Sequence, residues 1–329
     1  MKVLFIGGTG TISSACAQLA IERGFELYLL NRGYSDLPPP DGAHVLNGDI
    51  NDADSARRAL DGRSFDVVVN WVAFQPGQVD RDIHLFRDRT SQYVFISSAS
   101  VYQKPLARLP ITESTPLANP FWSYSRDKIA CEIRLNEAYR DSGFPATIVR
   151  PSHTYDRTRL PNFGRYTVVD RMRKGQKIII HGDGSSLWVL THHRDFAHGF
   201  TGLLGNDQAI GDSFHITSDE LLTWNQIYAS IARAAGVSEL DIVYVPSSVI
   251  ARYDQQWGES LLGDKQHSVI FDNTKIKRVV PDYVATIPYS AGVRDVMSWF
   301  DEDQTRQVVE EPVNDLIDRI VADWTPTLR

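Results

Sequence analysis

The chain has 329 residues, 42% hydrophobic and 23% charged, a balance that supports a large buried core and excludes intrinsic disorder. Its formal charge of −7 would repel polyphosphate, so nucleic acid is not an expected partner. Two well-separated cysteines, Cys16 and Cys131, suggest neither a disulfide framework nor a thiolate site, and no apolar run reaches signal-peptide or membrane-span length, so a cytoplasmic location without a membrane partner is expected.

From residue 1 to about 150, short β-branched apolar runs alternate with segments of helical period. Strands are predicted over 3–6, 26–30, 44–47, 66–72, 92–97 and 146–150, and helices over 12–23, 52–60, 79–89 and 123–142. Strands that are apolar throughout indicate a parallel sheet covered on both faces. Linked by helices through right-handed crossovers, they make a doubly wound α/β Rossmann fold. The segment 37–42, with three consecutive prolines, is a surface connection inside this domain. Beyond Arg150 the elements become shorter, with runs at 177–181, 188–191 and 223–235 and a helix near 291–303. A Rossmann domain is therefore expected over 1–153, open to later segments rejoining it, and a smaller, mainly substrate-binding lobe over 154–329. The acidic residues 301–303 and 310–311 read as a solvated face.

The first strand runs directly into Gly7-Gly8-Thr9-Gly10-Thr11-Ile12-Ser13 and then a helix. Backbone N–H groups in such a turn, with the helix N-terminus behind them, suit a dinucleotide pyrophosphate, which marks Gly7, Gly10, Thr11 and Ile12 as cofactor contacts. Glycines also serve any tight strand-to-helix turn. The second strand ends in Asn31-Arg32 with no acid, which favours NADP(H) over NAD(H). After the third strand Asp49 is placed to accept from an adenine amino group, with Ile50 packing on the ring, although the same loop can simply cap the next helix.

Tyr124 and Lys128 stand four apart on one predicted helix, so their side chains share a face. A phenol with a pKa of roughly 10 needs a cation to act near neutral pH, and Lys128 supplies it. Ser97-Ser98-Ala99-Ser100 ends the fifth strand at the carboxyl edge, where open α/β sheets bind ligands, and a serine there can hydrogen-bond a reacting oxygen.

Taken in order, Gly-Gly-Thr-Gly at 7–10, Gly48-Asp49-Ile50, Val94 to Tyr102, Tyr124 with Lys128, and Arg150 to Tyr155 resemble the extended short-chain dehydrogenase/reductase family, which includes nucleotide-sugar epimerases and dehydratases. Gly182 to Ser185 and Arg194 to Ala197 are similar to the family's substrate-lobe motifs. The resemblance implies a catalytic set of Tyr124 as acid/base, Lys128 on the nicotinamide ribose, and Ser98 on the substrate oxygen. It adds Ala73, Ser97 and Pro151 as cofactor contacts and implies a homodimer.

Some residues depart from the family pattern. Ser13 replaces the third glycine of the loop. Ala99-Ser100 stands where dehydratases carry an acid pair, which disfavours dehydration. Trp188 occupies the place of an arginine that pairs with a substrate diphosphate, which argues against a nucleoside-diphosphate substrate and marks Trp188 as a substrate contact or as core. His153, where the family commonly has Asn, is a further substrate contact. His181, His192, His193 and His198 do not make a metal site, because adjacent His192 and His193 on a strand would face opposite ways. Phe121-Trp122 either walls the site or staples the helix that follows.

The expected activity is hydride transfer to or from a secondary alcohol or ketone of a sugar-like molecule. An epimerase holding NAD tightly is the alternative enzyme. A non-catalytic relative that senses cofactor or binds RNA is the alternative of another class.

Overall fold

The computed structural model describes residues 1–34 and 37–325. Six strands alternate with helices in its first half: β1 (Lys2–Ile6), β2 (Glu26–Asn31), β3 (His44–Asn47), β4 (Phe65–Asn70), β5 (Thr90–Ile96) and β6 (Ala146–Pro151). The interleaved helices are α1 (Ser13–Glu22), α2 (Ala53–Ala59), α3 (Pro76–Phe86) and α4 (Ser123–Ser142). The second half adds β7 (His153–Tyr155), α5 (Tyr166–Arg173), β8 (Ile178–His181), β9 (Leu187–Trp188), β10 (Leu190–His192), α6 (His193–Thr201) and β11 (Ser213–Ile216).

The main sheet has seven strands in the order β11-β6-β5-β4-β1-β2-β3, all parallel. Side chains alternate along each strand between its two faces. Val3, Phe5, Val67 and Val69 enter one core, while Leu4, Ile6, Val68 and Phe95 enter the other. A sheet apolar on both sides must be covered on both sides, which the helices do.

The second half does not stay apart from this domain. β11 returns to the sheet beside β6, pairing Ser213 with Ile148. A third core, containing Trp188, Trp224, Tyr289 and Ile320, is built mainly from the second half of the chain.

Several element limits differ from those predicted, each for a local reason. Helix α3 begins at Pro76, where a first-turn proline lacks only an N–H the helix does not use, and Gln75 and Gln78 close a reciprocal cap. The strand predicted over 188–191 is two pieces: β9 pairs with Leu222–Thr223, and β10 pairs with β7. His192 and His193 are not two positions of one strand, because β10 ends at His192 and α6 begins at His193. His192 accepts the Arg194 N–H as the helix cap.

The C-terminal helix lies over Tyr289–Asp301, and another, Glu311–Trp324, follows it. The acidic pair 310–311, read from sequence as solvated, stands at that helix's start, where the dipole favours negative charge. Its Leu316, Ile317 and Ile320 are buried. Among the described residues no helix is long and apolar enough to cross a membrane.

Candidate active site

Strand ends deliver the site. β4 leads to Ala73, β5 to Ser98 and β6 to Pro151, all at the carboxyl edge of the sheet, and α4 brings Tyr124 and Lys128 across it. A cavity of about 390 Å³ opens there, lined by Ser98, Tyr124, Pro151, His153 and Trp188 among others. Residues as far as 90 positions apart in sequence, Ser98 and Trp188, thus meet in one place.

Lys128 is only 2% exposed. Its Nζ donates to the carbonyls of Ala73 (2.7 Å) and Ile96 (2.8 Å), leaving one of three N–H bonds uncommitted. The Phe74 ring lies 4.4 Å from the ammonium. Burial pulls the Lys128 pKa down to about 8, because the charged form loses hydration.

Burial raises the Tyr124 pKa, and a hydrogen bond with Ser98 opposes the rise. In the protein alone, therefore, Tyr124 is a phenol at neutral pH, the form that gives a proton to a carbonyl. Ser98 accepts the Ser100 N–H (3.2 Å), which caps a short 3₁₀ turn over Ala99–Val101. Its hydroxyl lies 2.9 Å from that of Ser100, to which Ser125 in turn donates at 2.8 Å. The pair Ala99-Ser100, where dehydratases would carry acids, is thus a turn and a hydroxyl chain.

The glycine loop has the features a dinucleotide needs. Gly8 has φ +120°, and a Cβ there would lie 2.8 Å from Leu29 Cδ2. Helix α1 carries no side-chain cap, so first-turn N–H groups are left for an anion. Ser13 is buried, and its Oγ accepts the Gly10 N–H at 2.8 Å. The hydroxyl replacing the third glycine is therefore a brace, and Gly10 spends its N–H inside the loop.

Other expected cofactor residues are placed as follows. Asn31, oriented by its hydrogen bonds, donates to Gly7 O (2.8 Å) and Leu30 O (3.0 Å), tying the end of β2 to the loop. Arg32 is exposed beside it. Asp49 accepts the Asn51 N–H at 2.9 Å, which is the helix-leading turn, while Ile50 and Ala73 are buried. Ser97 turns away from the cavity: its hydroxyl donates to Glu132 Oε1, and its N–H serves Val149 O.

Trp188 is both core and wall, 3% exposed yet lining the cavity. Its Nε1 donates to His153 Nδ1 at 3.2 Å. Burial, with Lys265 and Arg159 nearby, pulls the His153 pKa down to about 3, so the ring is neutral and its proton sits on Nε2. Trp122 also lines the cavity, its ring 5.0 Å from that of Tyr124, whereas Phe121 is exposed. The other histidines serve the framework: His181 contacts Lys265 O and His193 contacts Thr11 O, while His198 is exposed.

Residues 3–216 match the model of the NAD dependent epimerase/dehydratase family. The chain belongs to this family. A relative, the chloroplast stem-loop binding protein of 41 kDa b from Arabidopsis thaliana, is 26% identical over 256 residues, 74% of this chain and 65% of that protein. A UDP-glucose 4-epimerase of Streptomyces lividans is 31% identical over 168 residues, 45% of this chain and 50% of its own. The chain thus spans about half to two thirds of the length of the first of the curated relatives it matches.

Among solved structures, an epimerase of Methanothermobacter thermautotrophicus superposes with a TM-score of 0.75 at 18% identity, covering 93% of this chain and 94% of that one. A dTDP-glucose 4,6-dehydratase of Bacillus anthracis, solved with NAD, gives 0.74 at 19% identity, covering 93% and 98%. At such identities the likeness is one of fold.

Sequence reading missed Arg159, Asp264 and Lys265, which also line the cavity. Asn119, only 3% exposed, donates to Ser100 O (2.9 Å) and Gly263 O (2.7 Å). It pins a wide π-helical turn, Leu261–Lys265, against the turn after Ser98. Such turns are frequent at functional sites, but no periodicity in the sequence announces one.

Proposed function

We propose that this family member is an oxidoreductase that transfers hydride to or from a secondary alcohol or ketone of a sugar-like small molecule. The observation that carries the reading is the meeting of the Ser98 and Tyr124 hydroxyls in one cavity beside the buried Lys128 ammonium. A bound nicotinamide supplies or accepts the hydride. Gly7, Thr11 and Ile12 would hold its pyrophosphate, and Lys128 would offer its remaining N–H to a ribose hydroxyl.

In reduction Tyr124 gives its proton to the carbonyl oxygen; in oxidation it takes the alcohol proton. Ser98 hydrogen-bonds that oxygen and holds it next to the phenol. The Lys128 charge favours the phenolate after the proton has left. Such positioned acid–base catalysis contributes roughly 10²–10⁴-fold. Burial favours the phenol of Tyr124 in the protein alone, the form from which a reduction step starts, and an epimerase would use the same residues.

NAD is the cofactor the family description indicates, and it does not support the preference for NADP(H) expected from Asn31-Arg32 with no acid beside them. The name of the Arabidopsis relative gives stem-loop binding for that protein. Here the net charge of −7 and the retained Ser98, Tyr124 and Lys128 favour catalysis.

The test is Tyr124→Phe, assayed for hydride transfer with NADH and NADPH across a panel of sugar-derived ketones. Turnover should fall at least about 100-fold while cofactor affinity holds. Undiminished turnover in the variant rejects the assignment, and the wild-type ratio of NADH to NADPH efficiency decides the cofactor.

A further inference from the structure

The cavity carries two cationic side chains, Arg159 and Lys265. Among the described residues neither donates a side-chain hydrogen bond or closes an ion pair; the Lys265 ammonium lies 5.2 Å from the Trp122 ring. The acid lining the same cavity, Asp264, is already paired, with Lys104 Nζ at 3.1 Å. Burial disfavours the charged form of both Arg159 and Lys265, and Arg165 adds repulsion at Arg159. Arg159 is exposed and Lys265 half-buried, and Asp156 and Asp264 offset part of the cost without closing an ion pair, but a cation losing water with no carboxylate in contact remains costly. An arriving anion would relieve that cost.

The Lys265 position is built rather than accidental. Its carbonyl accepts from His181 Nε2 (3.1 Å) and Trp224 Nε1 (3.1 Å), and the wide turn before it is held by Asn119. Both cations lie close enough to His153 to disfavour its protonation. With Trp188 donating to Nδ1, His153, which also lines the cavity, keeps a neutral Nε2–H donor. A volume of about 390 Å³ is at the small end of ligand pockets, which run roughly 300–1,000 Å³, and the bulky Trp188 takes part of that wall.

We propose that Arg159 and Lys265 form an anion subsite for the phosphate monoester or carboxylate of a compact, sugar-like substrate that carries no nucleoside. The word substrate rests on the oxidoreductase reading; the subsite itself does not. Charge-assisted hydrogen bonds from two cations, with His153 as a third donor, would fix one end of the molecule. Its hydroxyl-bearing carbon would then face Ser98 and Tyr124.

The test is calorimetric titration of the full chain with glucose 6-phosphate, gluconate, glucose and UDP-glucose at one fixed low ionic strength. At least one of the two compact anions should bind tighter than both glucose and UDP-glucose, and which of them leads tells phosphate from carboxylate. Arg159→Gln and Lys265→Gln should each weaken that probe about ten-fold or more, Lys265→Arg should restore most of it, and Arg157→Gln, outside the cavity, should change it little. Compact anions that bind no tighter than glucose, UDP-glucose as the tightest probe, or unchanged affinity in both cavity variants would overturn the subsite. Tyr124→Phe should keep the preference for that anion over glucose and UDP-glucose. If its turnover is also unchanged, the oxidoreductase reading fails while the binding result stands.

Discussion

Lys128 is the residue whose environment most changes its chemistry. An exposed lysine titrates near roughly 10.4, but burial brings this one to about 8, so its charge is present below that pH and lost above it. Catalysis that needs the ammonium beside Tyr124 should hold at neutral pH and decline as pH rises through about 8. The sign for stability is opposite. A folded pKa below the unfolded one means that burying the cation costs stability at low pH, and the cost fades as pH rises. A pH series should therefore show kcat/KM falling near 8 with no fall in Tm from this group. Lys128→Gln should lower the neutral rate and flatten that limb, and a limb that persists in the variant would assign it to another group. The sequence showed this pair, because a spacing of four on a helix is legible. It did not show the carbonyls of Ala73 and Ile96 that hold the amine, since those depend on two strand ends meeting.

At the scale of elements, α4 is anchored one turn beyond Lys128. Glu132 and Arg150 form a buried ion pair at 2.6 Å between α4 and β6, and Ser97 and Tyr102 bond to it as well. Breaking a buried pair leaves one charge uncompensated, which costs about 3–5 kcal/mol, whereas removing both partners costs less. Arg150→Met should thus lower the unfolding free energy by about that amount in urea titration, and Glu132→Gln added to it should recover part of the loss. Equal losses from the single and the double change would mean that the pair is not the cause. The strands around this pair were legible as apolar runs, because a sheet buried on both faces permits little else. The ends of α3 and β10 and the turn at 261–265 were not, because capping partners and a tertiary clamp set them.

For the whole molecule, the question is how two regions of sequence act as one site. The expected boundary after residue 153 describes where the chain leaves the sheet, but the chain comes back: β11 extends the sheet and α6 packs on α1. At that contact His193 Nδ1 lies 3.1 Å from Thr11 O. A carbonyl only accepts, so Nδ1 carries the proton, and burial, which lowers the His193 pKa against the pull of Asp156, keeps the ring neutral. The first residue of α6 therefore holds the loop assigned to the cofactor, while β10 just before it packs beside β7, which begins at His153. Removing the donor frees the Thr11 carbonyl without touching Ser98, Tyr124 or Lys128. A hydrogen bond contributes a net of roughly 0.5–1.5 kcal/mol, and 1.4 kcal/mol is about ten-fold in binding. His193→Phe should accordingly weaken NAD binding by about 3- to 10-fold in a fluorescence titration, with kcat at saturating NAD near that of wild type. If the Kd for NAD does not move, the loop holds its shape through Ser13 and Asn31 alone, and α6 contributes packing rather than control of the cofactor site.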